Sequence, residues 1–565
     1  MFEELAEKAS IALQDKYSLK DLVVAWRRPQ ERTHGDAATA VALQLAKTLR
    51  MKSQEVAQVL CEALKLCPSV AKAEVAGAGY VNVWLTPAAL IRELKTAEEA
   101  CTPKPARKGK GPVIIDYSQP NIAKPLGVHH ILSTVIGQCL CNLHRHLGYE
   151  VVGWNYIGDW GTQFGKLAVA WEKWGRGKPV EQYSLDELLE LYVRFHAEAE
   201  KDKALDDAAR AAFLKLEQGD RDLRFFREGV VRVTKASLSA IYERLHVRFD
   251  TDIGESFYED KMHPILEEGR KKKVFVQGEE GSLIVTFTEE EKLPPFLVQK
   301  GDSATLYATR DLAQIRYRID TYDPQAILYV VDVAQQLYFQ QLFKTVSRLD
   351  WKLPLLEHVV FGRMRFADQA MSTRKGTVLK LEHVLDEAAA RAKETIAEHR
   401  ESIQTDDEDA LAEMMGTGAL VYGILSQNRK MDLVFDWKKV LALEGNSAPY
   451  LQYTHARACS VLRKAETKEA LPSKTPSLTD RERSLIGTLL TFPDVLKDAC
   501  AQRMPHTLAN YLYALCQEFN SFYNSEPILK AEGATKALRL FLTSLTAHVL
   551  KTGAELLTLR VPERM

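Results

Sequence analysis

The chain of 565 residues lacks any apolar run long enough to cross a membrane. Its longest apolar stretches, at 113–115 and 418–425, fall far short of the ~18 residues that a membrane-spanning helix requires. The first residues also lack a basic segment followed by an apolar one, so no secretory signal is predicted. We therefore expect a cytoplasmic protein with no membrane partner.

Cysteine is sparse and never occurs as a Cys-x-x-Cys pair. The eight cysteines, scattered along the chain, argue against a zinc ribbon and against a disulfide framework. We expect reduced cysteines with a structural role. The sequence shows no other cluster of metal ligands, so no protein-bound metal is predicted.

An excess of either charge is missing too, because 75 basic residues stand against 76 acidic ones. The net charge of -1 provides no overall attraction for nucleic acid, so any RNA site must use local basic patches. The chain is roughly three to four times as long as a typical domain of ~150 residues, which excludes a single small binding module.

A segment rich in proline, glycine and basic residues at 101–111 marks the first domain boundary. This composition suits a solvated linker, which we assign to 104–111. Residues 1–103 then form an N-terminal α+β domain. Apolar spacing predicts helices at 37–49 and 56–64, and alternation of residue types predicts a strand at 79–85.

The residues after the linker show the pattern of an α/β domain. Apolar runs at 113–117 and 151–154 predict two strands, and helical spacing at 131–147, ended by Gly148, predicts the helix between them. Because such crossovers are right-handed, the unit implies a parallel sheet.

Three further regions complete the predicted organisation. Charged amphipathic segments predict a helical insertion at about 171–250 within an α/β domain of residues 112–400. Strand-like segments recur at 283–287 and 327–331. Helical patterning dominates the remainder, so residues 401–565 are assigned to an all-α domain.

The loop between the first strand and its helix, at 116–130, is the most informative stretch. Such loops bind anions, because backbone N–H groups and the helix dipole point at them and open α/β sheets bind ligands at this edge. Lys124, His129 and His130 could hold a triphosphate there. The alternative is that the two histidines merely cap the helix.

A second loop, at 371–376, combines hydroxyls with basic residues. This composition suits the clamping of phosphate oxygens in a transition state. A solvated basic turn is the alternative for this loop.

Six strings carry a resemblance to a known family, at 121–137, 158–165, 254–258, 307–313, 444–453 and 562–565. Together they resemble the class I aminoacyl-tRNA synthetases, and specifically the arginyl-tRNA synthetase family. The resemblance spans nearly the whole chain. It implies a multidomain α/β fold with a Rossmann-type parallel-sheet catalytic core, an N-terminal α+β domain that contacts the tRNA elbow and a C-terminal all-α bundle that binds the anticodon.

The resemblance also implies an arginine site. A guanidinium has five fixed donors and a permanent charge, so its site must offer carboxylate and amide oxygens, which lysine would not satisfy equally well. For Tyr307 and Asp311, the alternative is that they belong to an ordinary helix start with a cap. The implied arginine-binding residues are Asp116, Gln119, Asn121, Tyr307, Asp311 and Gln335.

The chain departs from the family's HIGH signature, because Gly127-Val128-His129-His130 stands where His-Val-Gly-His is usual. His130 keeps its place, and our hypothesis is that His129 supplies the lost imidazole. The residues expected to bind ATP, which arrives with Mg²⁺ as its counter-ion, are Gly127, His130, Met371 and Ser372.

A second departure lies in the KMSKS-like loop, which offers neither lysine of the general pattern at 370–374. In the family, a lysine just before the HIGH element is thought to compensate, and Lys124 occupies that place. A cation positioned at a phosphoryl centre stabilises developing charge. The expected catalytic residues are therefore Lys124, His129, His130, Ser372, Arg374 and Lys375.

The implied reaction is attack of the arginine carboxylate on the α-phosphate of ATP, followed by transfer of arginine to the terminal ribose of tRNA(Arg). Positioning and charge neutralisation suffice for it, so no nucleophilic side chain is required. In the family, activation needs bound tRNA, and the expected state is a monomer.

Candidate RNA contacts are assigned with less detail. Aromatic residues at helical spacing are more often core than base-stacking, so Phe519 and Phe522 are assigned to the core. The basic residues Arg429, Lys430, Lys438 and Lys439 either support an RNA site or form a solvated helix face. The expected tRNA contacts are Tyr80, Asn82, Tyr450, Tyr453 and Arg457.

Two other functions compete with this interpretation. A stand-alone nucleotidyltransferase would use the same sheet, but it would not need both flanking tRNA-like domains. A non-catalytic tRNA-binding paralogue would explain the two altered signatures, but it would not need a complete set of arginine-binding residues.

Overall fold

The computed structural model describes residues 2–29, 32–107, 109–175, 177–301, 307–367, 379–465, 471–472 and 474–565. Within these ranges, none of the helices is both long and apolar enough to cross a membrane. All eight cysteines are free, as predicted.

The N-terminal unit packs helices on a three-stranded antiparallel sheet of order β1-β3-β2. The strand predicted at 79–85 is confirmed, but the helix predicted at 37–49 begins only at Val41. Residues 37–39 instead pair with 81–83, a long-range contact that overrides local helical spacing. The elements are α1 (Phe2–Tyr17), β1 (Ala37–Thr39), α2 (Val41–Leu49), α3 (Ser53–Lys65), β2 (Val70–Ala76), β3 (Tyr80–Leu85) and α4 (Pro87–Glu99).

The predicted parallel sheet forms the centre of the molecule, with strand order β10-β9-β4-β5. Every residue of β4 is buried, as expected of a strand covered on both faces. Helix α5 crosses between the first two strands and ends before Gly148, whose φ of 81° suits a helix C-terminus. The elements are β4 (Val113–Asp116), α5 (His130–His146), β5 (Val151–Trp154), β9 (Ala326–Tyr329) and β10 (Leu355–His358).

The predicted helical insertion follows β5 and has a hydrophobic core of its own. Two of its helices begin at strong local signals, because Ser184 and Glu187 form a capping box and Asp220 caps the last helix. These helices are α6 (Thr162–Trp174), α7 (Leu185–Ala199), α8 (Ala204–Glu217) and α9 (Arg221–Arg244).

A small antiparallel sheet and three helices lie between the insertion and the end of the parallel sheet. The strand predicted at 283–287 ends at Val285 and belongs to this second sheet. The elements are α10 (Met262–Lys271), β6 (Val276–Gln277), β7 (Leu283–Val285), β8 (Phe296–Gln299), α11 (Tyr307–Tyr322) and α12 (Gln336–Ser347).

The C-terminal part is a helical bundle joined to the core by a two-stranded parallel sheet. Phe519 and Phe522 are fully buried, which confirms their core assignment. The boundary predicted at 400 falls between two helices that pack together, α13 and α14. The elements are β11 (Met364–Phe366), α13 (Leu381–Glu398), α14 (Glu408–Leu425), β12 (Leu433–Phe435), α15 (Trp437–Val440), α16 (Ala448–Lys464), α17 (Asp480–Leu489), α18 (Phe492–Gln502), α19 (Pro505–Ser525) and α20 (Gly533–Leu556).

Candidate active site

The loop that follows β4 has an unusual backbone. Ser118, Gln119 and Ala123 have φ values of 73°, 53° and 60°, a region that residues with a side chain rarely adopt. Such conformations cost energy and persist only where surrounding contacts hold them. The loop lies at the carboxyl end of the parallel strands, the edge at which open α/β sheets bind ligands.

Hydrogen bonds from three different elements hold this loop. The amide of Ser118 donates to Ser133 Oγ of α5 at 3.0 Å. The amide of Gln119 donates to Asn155 Oδ1, just after β5, at 3.2 Å, and that of Ala123 donates to Thr234 Oγ1 of α9 at 3.1 Å.

Asp116, the last residue of β4, is completely buried and has two side-chain partners. Its Oδ1 accepts a 2.8 Å hydrogen bond from Gln119 Nε2, and its Oδ2 accepts one of 2.5 Å from Arg318 Nη2. Arg318 lies on α11 and is also completely buried. The structure therefore brings together the predicted residues Asp116 and Gln119 and adds a cation that sequence reasoning missed.

Asn121 is the exposed member of the predicted arginine-binding loop. It forms a bridge with Gly158, where the amide of Ile122 donates to the Gly158 carbonyl at 3.2 Å. A Cβ atom on Gly158 would lie 2.4 Å from Asn121 Oδ1, so a larger residue at this position would displace the Asn121 side chain. This contact places the string 158–165 beside the loop.

An acidic pair lies under the start of α11. Burial raises the pKa of Asp311 to about 6 and that of Glu255 to about 7. The Tyr338 hydroxyl donates to Asp311 Oδ2, and Glu255 Oε2 lies 3.7 Å from Arg310 Nε. The charges of Asp116 and Asp311 also interact. The predicted residue Asp311 thus has a second carboxylate beside it.

Glu255 was not assigned a role from the sequence, although its string, 254–258, was noted. The string 158–165 helps to position Glu255, because Asp159 Oδ1 accepts a 2.8 Å hydrogen bond from the amide of the next residue, Ser256. A Cβ atom on Gly254 would lie 2.5 Å from Asp159 Oδ1. Two strings far apart in the chain therefore cooperate to place one carboxylate.

The other two predicted arginine ligands are open to solvent. Tyr307 is 64% exposed, and its ring centroid lies 5.2 Å from the Arg310 guanidinium. Gln335 lies directly before α12 and is exposed. Its backbone N–H donates to the Asp332 carbonyl at 3.0 Å.

The histidines of the altered signature begin α5. His130 Nδ1 lies 3.1 Å from the Gly127 amide and 3.2 Å from the Gly127 carbonyl, so the ring proton sits on Nε2 when the amide donates and on Nδ1 when the carbonyl accepts. His129 occupies the N-cap position without a side-chain cap hydrogen bond, and the two ring centroids are 4.0 Å apart. Burial and the neighbouring His129 lower the pKa of His130 to about 4, so the ring is neutral at neutral pH.

Lys124 is exposed, and its Nζ lies 5.1 Å from the ring centroid of Tyr192 on α7. No ion pair holds Lys124 within the part of the chain that the structure describes. The predicted residues Met371, Ser372, Arg374 and Lys375 lie outside the described residues.

Three family profiles match successive parts of the chain. The N-terminal domain of arginyl-tRNA synthetase matches residues 2–85, and the catalytic domain of class I tRNA synthetases (R) matches residues 93–437. The chain belongs to the arginyl-tRNA synthetase family. The third profile, the DALR anticodon-binding domain, matches residues 451–565.

Individual arginyl-tRNA synthetases resemble the chain over its length. An arginine–tRNA ligase of Fusobacterium nucleatum subsp. nucleatum is 39% identical over 536 residues, which are 94% of this chain and 93% of the relative. The arginyl-tRNA synthetase structure from Thermus thermophilus is 26% identical, with a TM-score of 0.80 and 99% of both chains covered. The one from Plasmodium falciparum has a TM-score of 0.82 at 23% identity, covers 100% of this chain and 99% of its own, and supports the fold alone. The predicted family and fold class are confirmed.

A cationic and aromatic cluster lies in the part that matches the synthetase's anticodon-binding domain. The Arg457 guanidinium lies 4.7 Å from the ring centroid of Tyr453 and 5.1 Å from that of Tyr523. Arg457 Nη1 donates to Asn520 Oδ1 at 2.5 Å, and Asn520 Nδ2 donates to the Tyr450 hydroxyl at 3.0 Å. The structure thus joins all three tRNA contacts that the sequence predicts in this domain.

This cluster borders a cavity of about 1070 Å³ between α16, α19 and the chain terminus. Aromatic faces and cations around a groove are the usual means of binding single-stranded RNA. Its other charged lining residues are the basic Arg400, Arg463, Lys464, Lys530 and Arg564 and the acidic Asp406, Glu408 and Glu526.

The other residues predicted to contact RNA differ in their exposure to solvent. Tyr80 is 48% exposed, but Asn82 is only 4% exposed, and a buried amide offers no surface to RNA. Arg429 is also buried, because its guanidinium donates to the backbone carbonyls of Val360 and Arg503. Its assignment to a surface basic patch was wrong, whereas the lysines grouped with it are exposed.

Proposed function

We propose that the chain is an arginine–tRNA ligase. It would activate L-arginine with ATP to arginyl-adenylate and transfer the arginine to the 3′-terminal adenosine of tRNA(Arg) for protein synthesis. Beyond family membership, the observation that carries the proposal is the pair of desolvated carboxylates, Glu255 and Asp311, whose charges interact.

The acidic pair suits the side chain of the amino acid. Two partly desolvated carboxylates favour a ligand with a permanent charge and several donors in one plane, which describes a guanidinium. An ammonium such as that of lysine presents a compact, strongly hydrated charge and pairs less well with two acceptors. Tyr307 and Gln335, both exposed nearby, would complete the arginine site.

The loop after β4 suits the main-chain atoms of the amino acid. We assign this role to Asp116, Gln119 and Asn121. The exposure of Asn121 supports a direct contact with the amino acid, whereas Asp116 is buried and linked to Gln119.

The start of α5 suits the nucleotide. A neutral His130 with its proton on Nε2 can donate a hydrogen bond to a phosphate oxygen, and the N-terminus of the helix attracts negative charge. Lys124 supplies a free cation for the phosphates. Mg²⁺ would be held chiefly by the nucleotide's own phosphates, because the described residues contain no group of three metal ligands.

The groove beside Tyr453, Arg457 and Tyr523 suits unstacked anticodon bases. Tyr80, on the N-terminal sheet, is the candidate for a contact with the tRNA elbow. We further propose that the protein acts in the cytoplasm as a monomer and activates arginine only when tRNA is bound.

Pyrophosphate exchange with arginine and ATP tests the proposal. It is measured with and without tRNA(Arg), with lysine and canavanine as competing amino acids. Exchange with arginine that depends on tRNA supports it. No exchange under either condition would favour a non-catalytic tRNA-binding paralogue, which the altered order of Gly127 and His129 motivates.

A further inference from the structure

Helix α9, the last helix of the insertion, contacts the arginine-binding loop through a buried tyrosine. The Tyr242 hydroxyl lies 2.7 Å from Ser118 Oγ and accepts a 3.3 Å hydrogen bond from Asn155 Nδ2. Asn155 Oδ1 in turn accepts from the Gln119 amide. One hydroxyl is therefore linked to both residues that carry the first positive φ values of the loop.

These contacts matter because the loop cannot hold its shape alone. Ser118 and Gln119 are consecutive residues in the left-handed region, where each is less stable than in an extended or helical conformation. Without outside partners, the loop would relax, and Gln119 and Asn121 would leave the positions they occupy beside Asp116 and Gly158. Tyr242 supplies partners from a different segment of the chain.

The same end of α9 is also anchored to the C-terminal part. Arg244 Nη1 donates to Asp386 Oδ1 of α13 at 2.7 Å, and its Nε donates to Glu413 Oε1 of α14 at 2.9 Å. Tyr242 and Arg244 are only two residues apart. The end of α9 thus lies between the arginine-binding loop and the helices that lead into the anticodon-binding part.

We propose that Tyr242 is a positioning residue for arginine activation. It holds Ser118 and Asn155, and through them it keeps residues 118–121 in the conformation that receives the amino acid. This role rests on the proposed function. It predicts that loss of the hydroxyl weakens arginine binding more than ATP binding, because Tyr242 contacts Ser118 and Asn155 directly, whereas the His130 ring contacts Gly127.

The test is Tyr242→Phe, which removes the hydroxyl and keeps the ring. In tRNA-dependent pyrophosphate exchange, we expect the KM for arginine to rise about tenfold, the order expected from losing buried hydrogen bonds. The KM for ATP should stay within about twofold, and the melting temperature should match that of the control below.

Tyr422→Phe is the matched control. Its hydroxyl is also buried and has two partners, Asn446 Oδ1 at 2.6 Å and the Ala509 carbonyl at 2.9 Å, but it lies within the helical bundle. The control should lose comparable stability without a change in the KM for arginine. A rise in both KM values for Tyr242→Phe, or no rise in either, would overturn the proposal.

A double-mutant cycle with Ser118→Ala gives a second readout. If the two hydroxyls act together, the effects of Tyr242→Phe and Ser118→Ala on the KM for arginine are not additive. Additive effects would overturn the proposal. An inactive wild-type enzyme would instead refute the proposed function itself, so the two failures are distinguishable.

Discussion

Arg318 reaches from α11 across the sheet to Asp116, and neither side chain is exposed to solvent. The pair joins residues 202 positions apart in the chain through a 2.5 Å hydrogen bond. It adjoins the proposed arginine site, because Asp116 also binds Gln119 and Arg318 lies on the helix that carries Asp311.

Replacing one partner of this pair should destabilise the protein strongly. Arg318→Met leaves the Asp116 carboxylate buried with one partner fewer, and such losses cost about 3–5 kcal/mol. The free energy of unfolding from denaturant titration measures the loss. Arg316→Met is the control on the same helix, because Arg316 pairs with Asp320 at the surface and should cost less than about 1 kcal/mol. An equal loss of unfolding free energy in Arg318→Met and Arg316→Met would contradict the prediction.

The acidic pair should decide which amino acid is used. Glu255→Gln keeps the shape of the side chain but removes one negative charge, so we expect the KM for arginine to rise about 100-fold. The preference for arginine over lysine should fall with it. Pyrophosphate exchange with arginine and with lysine measures the ratio of the two kcat/KM values. Asp320→Asn, at the exposed face of α11, is the control and should leave the ratio unchanged.

Arginine binding should depend on pH. Burial raises the pKa of Glu255 to about 7 and that of Asp311 to about 6, and only the ionised carboxylates attract a guanidinium. The KM for arginine should therefore fall as the pH rises from about 5.5 to 8. In the protein without arginine, the same raised pKa values should lower the free energy of unfolding as the pH rises from about 4.5 to 7. Over this range the folded state retains protons that the unfolded state releases.

A profile of the KM for arginine against pH checks this, with the KM for ATP measured in parallel. Glu255→Gln should remove the part of the dependence near pH 7. A pH profile for arginine that is identical in wild type and variant would exclude Glu255 as the titrating group.

Lys124 should carry charge neutralisation in the activation step. We expect Lys124→Ala to lower the rate of adenylate formation by about 100-fold, since a positioned cation at a phosphoryl centre is worth several kcal/mol. Single-turnover measurements at saturating arginine and ATP isolate this step. Lys173→Ala, an exposed lysine on α6, is the control. A loss of only a few fold for Lys124→Ala would refute the role.

The two histidines should both contribute to activation. His130→Ala removes the neutral donor at the start of α5, and His129→Ala removes the imidazole that our hypothesis assigns to the missing signature position. Each should slow adenylate formation by at least about tenfold. If only His130→Ala is impaired, the compensation by His129 is wrong.

Local signals in the sequence were sufficient for much of the fold. The strands around 113–116 and 151–154 and the helix between them follow from apolar patterns that each segment carries itself. The motif strings likewise indicated the family and the loop after β4, because each string is a short, contiguous run of residues.

Long-range contacts decided the rest. The strand at 37–39 exists because it pairs with 81–83, although its own residues suggested a helix. Arg429 and Asn82 are inside the protein, whereas sequence reasoning placed Arg429 on the surface and Asn82 at a tRNA contact. Burial depends on which segments pack over a residue, and a local pattern does not contain that information.

The sequence by itself therefore determined the parallel-sheet core, the family and the loop that we propose as the substrate site. Only the tertiary structure decided that Arg318 pairs with Asp116, that the charges of Glu255 and Asp311 interact and that Tyr242 contacts Ser118. Each of these interactions joins residues more than fifty positions apart. The reason is physical: the free energy of a buried polar pair depends on the geometry and desolvation that packing creates, and neither is a property of the local segment.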